Sequence, residues 1–159
     1  MRVTDLIAQD HNTVHRLFLE LETARPGGTR QELLDRIVEE LEVHAQAEED
    51  VFYSAVRQVS RRVDDAEAGH AHLRALVAQA EGLDPASSDF LLGVRQLKQA
   101  VLNHAAEEEA GMFLDAARLG LDQLERLGAA MEERKDALKT SVAQRGIRAV
   151  VKQADQKVA

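Results

Sequence analysis

Cysteine is absent from this chain, and its absence removes several kinds of site from consideration. Disulfide bonds, thiolate nucleophiles, iron–sulfur clusters and cysteine-ligated zinc all require that residue. Tryptophan is absent too, aromatic residues make up only 3% of the sequence, and there are just two prolines. Because so few residues interrupt a helix, a chain of 159 residues rich in alanine, leucine and glutamate is expected to form one all-α domain.

Positive charge and long apolar runs are also scarce. The 20 lysines and arginines are outnumbered by 28 acidic residues, and the resulting net charge of −8 argues against a general nucleic-acid-binding protein. No apolar run approaches the roughly 18 residues that a membrane span requires, and the amphipathic N-terminus is unlike a secretory signal. We therefore expect a cytoplasmic protein that binds neither nucleic acid nor membrane.

The remaining helix-breaking residues divide the chain into four long predicted helices. They cover about residues 3–24, 29–60, 64–82 and 88–119. The connections between them are short, which favours antiparallel neighbours and therefore an up-down-up-down four-helix bundle. Since the second of these helices would be about 45 Å long, we expect a break or bend in it near residues 54–60.

Two further features concern helix starts and the C-terminal part of the chain. Thr29 and Asp122 are each followed three residues later by glutamate, which predicts capping of the second helix and of a fifth helix over about 122–139. We assign residues 1–140 to the bundle domain with its fifth helix. Residues 141–159 are predicted to form a short, basic, helical tail.

Polar residues interrupt the apolar stripe of each long helix. The interruptions are four histidines and two glutamates: His11, His44, His70, His104, Glu48 and Glu108. Each glutamate follows a histidine by four residues, so the His-x3-Glu pair occurs twice. A carboxylate in a bundle core is costly unless it is paired or bound to a cation. A pair of metal ions would account for all six positions.

The ligand types indicate which metals would suit such a site. Imidazole and carboxylate without thiolate favour iron or manganese, and zinc or copper less specifically. Two metals with bridging oxygen suggest a di-iron centre, although di-manganese is not excluded. The alternative interpretation is a metal-free helical scaffold whose buried polar residues pair with one another.

The order and spacing of these residues resemble the hemerythrin-like family and its HHE cation-binding signatures over about residues 3–135. The matching segments are 10–18, 44–53, 69–76 and 104–109. The resemblance implies a four-helix bundle in which the same six residues bind two iron ions joined by an oxo or hydroxo bridge. It also implies one of the family's activities, which include oxygen binding, redox or iron sensing, nitric oxide chemistry and peroxide breakdown.

The sequence differs from the oxygen-carrying members of this family on the third and fourth helices. Arg74 follows His70 by four residues, where the carriers have a second histidine, and the fourth helix carries His-x3-Glu instead of the carriers' His-x4-Asp. The chain is more similar to the mycobacterial hemerythrin-like proteins, which are associated with peroxide breakdown. We predict catalase-like breakdown of hydrogen peroxide, with non-catalytic binding or sensing of O₂, NO or iron as the alternative.

Several other residues lie near the predicted ligands. His15 is either a fifth ligand or a partly exposed histidine, whereas His72, Glu49 and Glu109 are expected to support the ligands or face solvent. Tyr53, the only phenol, faces away on an ideal helix but would reach the centre if the helix bends; ordinary packing is the alternative. Weaker signals of the same kind come from Asp10, Phe52, Met112 and Asp115.

Overall fold

A computed structural model describes residues 1–158 of the chain, with the side chains of 1–152 and 156. Four long helices form the bundle: α1 (Val3–Thr23), α2 (Gly28–Ala47), α3 (Val63–Glu81) and α4 (Ser88–Glu107). Two more helices follow, α5 (Leu121–Arg145) and α6 (Ile147–Val158). The described residues contain no strand, so the prediction of an all-α four-helix bundle with additional C-terminal helices is confirmed.

The second and fourth helices change their winding at corresponding places. A π-helical segment, Glu48–Tyr53, follows α2 and leads into the short helix Ser54–Val56. A second one, Glu108–Met112, follows α4 and leads into Phe113–Ala116 and the 3₁₀ turn Ala117–Leu119. The irregularity expected near residues 54–60 therefore begins earlier, at Glu48. Both π-helical segments start at the glutamate of a His-x3-Glu pair, and such segments are frequent at functional sites.

Glycine, and not a side-chain cap, precedes two of the helices. α2 begins at Gly28 after Gly27, and α5 begins at Leu121 after Gly120, whose φ is +85°. The predicted capping by Thr29 and Asp122 is therefore wrong, because both residues already lie inside the first helical turn and neither start has a side-chain cap.

The fifth helix is longer than predicted, and both C-terminal helices pack on the bundle. α5 contacts α1 and α2 and continues past residue 140 to Arg145, where Gly146 with φ +82° ends it. α6 contacts α5 and α2. Gly128 of α5 approaches the N-terminus so closely that a Cβ there would collide with the Met1 carbonyl oxygen. Within residues 1–158, no helix combines the length and apolarity that crossing a membrane requires.

The apolar core is divided into two parts along the bundle axis. One part, near α5, includes Ile7, Phe52 and Met112, and the other includes Val14 and Val101. His11 lies between Ile7 and Val14 on α1, and the other predicted ligands lie at the same level on their helices. The polar residues thus form a layer between two apolar clusters, which limits the access of water to that layer.

Candidate metal centre

Each bundle helix places one histidine in the polar layer, and each π-helical segment places one glutamate there. The structure brings together all six residues that the sequence singled out. They form two overlapping groups, one of His11, His44, Glu48 and Glu108 and one of Glu48, His70 and His104. Within each group the candidate ligand atoms lie within 4.8 Å of one another, so each group could hold a metal ion.

His11, His44 and His70 direct Nε2 toward the carboxylates. Glu48 Oε2 lies 3.2 Å from His44 Nε2 and 3.3 Å from His70 Nε2, so this carboxylate joins the two groups. Glu108 Oε2 lies 3.4 Å from His11 Nε2, without the geometry of a hydrogen bond. The rings are paired as well, with centroids 5.0 Å apart for His11 and His44 and 4.7 Å apart for His70 and His104.

Several of these polar atoms are buried without any hydrogen-bond partner. They are His11 Nε2, Glu48 Oε1 and both side-chain oxygens of Glu108. Glu48 is 0% exposed and Glu108 is 3% exposed. A buried carboxylate that lacks partners is strongly unfavourable. A cation bound between these atoms would satisfy them, and the imidazole and carboxylate donors present fit iron or manganese.

Carboxylates on the outside of the layer orient three of the four rings. The Nδ1 contacts are His11 with Glu109 (2.7 Å), His44 with Asp10 (3.1 Å) and His70 with Glu49 (2.9 Å). A hydrogen bond at Nδ1 fixes the ring and makes Nε2 the free donor atom for a metal. The geometry gives Asp10, only a weak signal in the sequence, the same supporting position as Glu49 and Glu109.

Basic residues in turn fix two of these carboxylates. Lys135 of α5 donates a hydrogen bond to Asp10 from outside the four-helix bundle. Arg74 donates to Glu49 at 3.0 Å and makes a two-oxygen contact with Glu42. Arg74 stands where the oxygen carriers have a histidine, and the structure explains its presence, because it holds the Glu49 carboxylate beside His70.

Tyr53 lies in the polar layer, not on the outside of its helix. Its hydroxyl is 3.2 Å from His70 Nε2 and 3.5 Å from His104 Nε2, and it donates to Glu48 Oε2 at 3.4 Å. The π-helical turn explains this position, because its hydrogen bonds span five residues and bring Tyr53 back to the side of Glu48. An ideal helical wheel could not place this side chain correctly.

The other candidates lie outside the two groups. His15 is partly buried and His72 is exposed, and neither belongs to a potential metal-binding group among the described residues. Asp115 accepts a hydrogen bond from Ser60 at 2.7 Å and has no contact with the histidines. Phe52 and Met112 are buried in the apolar cluster beside the layer, where they exclude water.

The electrostatic environment differs between the two His-x3-Glu pairs. Burial opposes charge on His44, but Glu48 and Asp10 outweigh it and raise the His44 pKa to about 10. Burial and the charge of His70 lower the His104 pKa to about 3. Burial alone would raise the pKa of Glu48, but His44 and His70 outweigh burial and hold that pKa well below its usual range. The pKa of Glu108 is raised instead, by burial and by the charge of Glu48.

Comparisons with known proteins agree with this geometry. The family model described as the hemerythrin HHE cation binding domain matches residues 2–116, which confirms the resemblance seen in the sequence. A hemerythrin HHE cation binding domain-containing protein of Mycobacterium kansasii, a homologue of Rv2633c, has the same fold. The TM-score is 0.81 at 21% identity, and the superposition covers 96% of this chain and 98% of that one.

A longer protein also contains a similar segment. A DNA nickase of Nostoc sp. strain PCC 7120 is 34% identical over 115 residues, which are 71% of this chain and 33% of the nickase. The chain therefore spans about one third of the length of that relative. The nickase activity is a property of the whole Nostoc protein.

Proposed function

Since the chain belongs to the hemerythrin HHE cation-binding family, we propose that its polar layer binds two iron ions and breaks down hydrogen peroxide. The observation that carries the metal site is the set of buried nitrogen and oxygen atoms without partners between His11, Glu48 and Glu108. His11, His44 and Glu108 would bind one ion, His70 and His104 the other, and Glu48 belongs to both groups. The donor types also suit manganese, which is the alternative metal.

Two iron ions held by these six residues would supply two-electron redox chemistry, by which two hydrogen peroxide molecules give two waters and one dioxygen. The chain supplies the conditions for this chemistry. Its carboxylates would balance the charge of the cations, and the Nδ1 hydrogen bonds hold the imidazole rings in place. Burial and the charge of Glu48 raise the pKa of Tyr53, so its hydroxyl keeps its proton and donates it in a hydrogen bond to Glu48.

A depression with both polar and apolar lining residues would give a small peroxide access to the layer. It lies between α3 and α4, has a volume of about 340 Å³ and includes His104 and Glu108. Its other polar lining residues include Asp65, His72 and Asn103. Hydrogen peroxide both donates and accepts hydrogen bonds, so a passage lined by carboxylate, imidazole and amide groups suits it.

Metal analysis combined with a peroxide challenge tests this proposal. The full chain, loaded with iron and freed of excess metal, is expected to hold two irons and to show an oxo-bridge absorption band in the near ultraviolet. It should release dioxygen when hydrogen peroxide is added, as measured with an oxygen electrode. His44→Gln should remove this activity, and His15→Gln serves as a control, because His15 lies outside the two metal groups and lines neither approach to them. Tightly bound iron without peroxide turnover would refute the enzymatic proposal.

Ligand binding or sensing is the second candidate. It is favoured by the Nostoc relative, in which a similar segment forms only one third of a longer protein. Reversible oxygen binding by the reduced protein, with slow autoxidation and no peroxide turnover, would support it. DNA nicking is not transferred to this chain, because its net charge of −8 gives little attraction for a phosphate backbone.

A further inference from the structure

A cavity of about 300 Å³ lies between the four bundle helices and α6, is partly open to solvent and reaches the polar layer. The four site histidines form its inner end, and along α3 it extends from His70 to Glu81, about 16 Å at the helical rise. Most of its lining surface is apolar and includes Val14, Val38, Leu41, Leu73, Val77 and Val101, whereas its charged lining residues are Asp10, Glu42, Arg74, Glu81, Arg148 and Lys152. Ile147 and Val151 of α6 line its outer part. The cavity thus connects an apolar space directly to the proposed centre of the chemistry.

The volume of this cavity limits which ligands would need it. An apolar cavity of about 150 Å³ can bind benzene, and ligand pockets in proteins begin at about 300 Å³. Hydrogen peroxide is comparable in size to water, whose share of the liquid is about 30 Å³. The cavity is therefore large enough for a hydrocarbon group of the size of a substituted benzene and is far larger than hydrogen peroxide requires.

The polarity of the lining leads to the same conclusion. Hydrogen peroxide among valine and leucine side chains would lose hydrogen bonds that water provides. The depression between α3 and α4 already offers a polar approach to His104 and Glu108. The two approaches therefore differ in chemistry, since one suits a small polar peroxide and the other suits an apolar group.

We propose that the apolar cavity binds the hydrocarbon part of an alkyl or aryl hydroperoxide, with the O–OH group directed at the four histidines. This inference rests on the proposed peroxide breakdown and extends its substrate class. The O–O bond of the organic hydroperoxide breaks to give an alcohol and water. Hydrogen peroxide supplies the two electrons and two protons and leaves as dioxygen: ROOH + H₂O₂ → ROH + H₂O + O₂.

Val77 provides a test because it lines the cavity and lies outside the metal groups. In Val77→Phe the larger side chain fills the cavity, whereas Val59→Phe makes the same change at a partly buried valine that does not line it. Binding of 2-phenyl-2-propanol, the alcohol product of cumene hydroperoxide, is measured by calorimetry on the iron-loaded full chain. We expect Val77→Phe to weaken this binding by about tenfold or more and Val59→Phe to change it by less than about twofold.

Turnover is measured on the same variants. Formation of 2-phenyl-2-propanol from cumene hydroperoxide with hydrogen peroxide should fall about tenfold in Val77→Phe, while hydrogen peroxide alone should release oxygen within about twofold of the wild-type rate. Val77→Ala, which enlarges the cavity, should still bind the alcohol, and near-wild-type hydrogen peroxide turnover in Val77→Phe shows that this variant is folded. Absence of alcohol binding, or equal binding to Val77→Phe, overturns the inference. If the alcohol binds but hydrogen peroxide alone releases no oxygen, the failure lies in the proposed peroxide breakdown.

Discussion

The two His-x3-Glu pairs are nearly identical in sequence but occupy different surroundings. His44 is buried, and its Nδ1 contacts Asp10, which accepts a hydrogen bond from Lys135. His104 is only partly buried, and among the described residues its Nδ1 has no hydrogen-bond partner. Its ring instead packs against Gly69, where a Cβ would lie 2.8 Å from His104 Nδ1.

The residues beyond the two glutamates differ as well. Tyr53 follows Glu48 by five residues and brings a hydroxyl to the centre, whereas Phe113 in the corresponding position after Glu108 packs against Phe52 with ring centroids 6.2 Å apart. His44 and Glu48 therefore form an ion pair whose histidine is held by Asp10. The second pair combines a neutral His104 with a Glu108 carboxyl of raised pKa. Similar ligands acquire different properties because different helices pack around them.

The largest difference between the two pairs is expected from their glutamates. Glu48 belongs to both metal groups and Glu108 to one, so Glu48→Gln should impair both sites and Glu108→Gln mainly one. We expect at least about a 100-fold loss of metal affinity in Glu48→Gln, together with loss of most iron. Iron per chain after gel filtration measures this effect. Equal iron loss in the two variants would contradict the bridging position of Glu48.

Weakening the contact between His44 Nδ1 and Asp10 should have the next largest effect. Asp10→Asn weakens the Nδ1 contact and the contact with Lys135, so metal affinity is expected to fall about 10- to 100-fold. Competition with a chelator of known affinity measures the change. Asp122→Asn, at an exposed acidic residue of α5, is the matched control. An unchanged affinity in Asp10→Asn would show that ring orientation does not depend on this carboxylate.

Proton release should distinguish His44 from His104. With a pKa of about 10, His44 carries a proton at pH 7 in the metal-free protein and must lose it to bind a metal. Metal affinity is therefore expected to rise by about tenfold per pH unit above pH 7. His104, with a pKa of about 3, is already neutral and adds nothing over this range. Calorimetry with manganese(II) in buffers of different ionisation enthalpy counts the protons.

The stability of the metal-free protein should change with pH in the opposite sense. Because folding raises the His44 pKa from 6.5 to about 10, its stabilising contribution is complete below pH 6.5 and is lost as the pH rises through about 10. The melting temperature of the metal-free chain should accordingly fall between pH 7 and pH 10. A constant melting temperature over this range, with no proton released on metal binding, would refute the assignment of a charged His44.

A smaller effect is expected from the Tyr53 hydroxyl, because Phe113 occupies the corresponding position after Glu108. Tyr53→Phe makes the first half resemble the second, and it should leave iron content within about twofold because the six ligand residues remain. Loss of the hydrogen bond to Glu48 should alter the near-ultraviolet spectrum and slow peroxide breakdown, by about tenfold for one lost charged hydrogen bond. Phe52→Leu, in the apolar cluster beside it, controls for packing. A spectrum and rate equal to wild type would reduce Tyr53 to a packing role.

The smallest effect should come from the glycine beside His104. Gly69→Ala places a methyl group against the ring, so metal affinity should fall a few-fold, about 1 kcal/mol. Alanine also favours a helix over glycine by about 1 kcal/mol, so thermal stability should not fall. Gly93→Ala gains the same helix propensity but meets only the flexible end of Leu83 at 3.0 Å. If both variants bind metal equally, the close approach at Gly69 has no role.

Local sequence patterns were sufficient to predict much of the architecture. The apolar period identified four bundle helices, and the six interruptions of that period are the residues that the structure brings together. Local signals were insufficient at helix starts, since Thr29 and Asp122 have the capping pattern while glycine precedes both helices. They were also insufficient at Tyr53, because a π-helical turn changes the face on which later residues lie.

The sequence alone therefore determined the helices, the polar layer and the two His-x3-Glu pairs, because each depends on residues within a few turns of one helix. Tertiary structure decided how the pairs differ. The contact of Lys135 with Asp10 joins residues 125 positions apart, and that of Arg74 with Glu49 joins two separate helices. The protonation of each histidine and the path that reaches it depend on charges and apolar groups from other helices, and no local pattern specifies these.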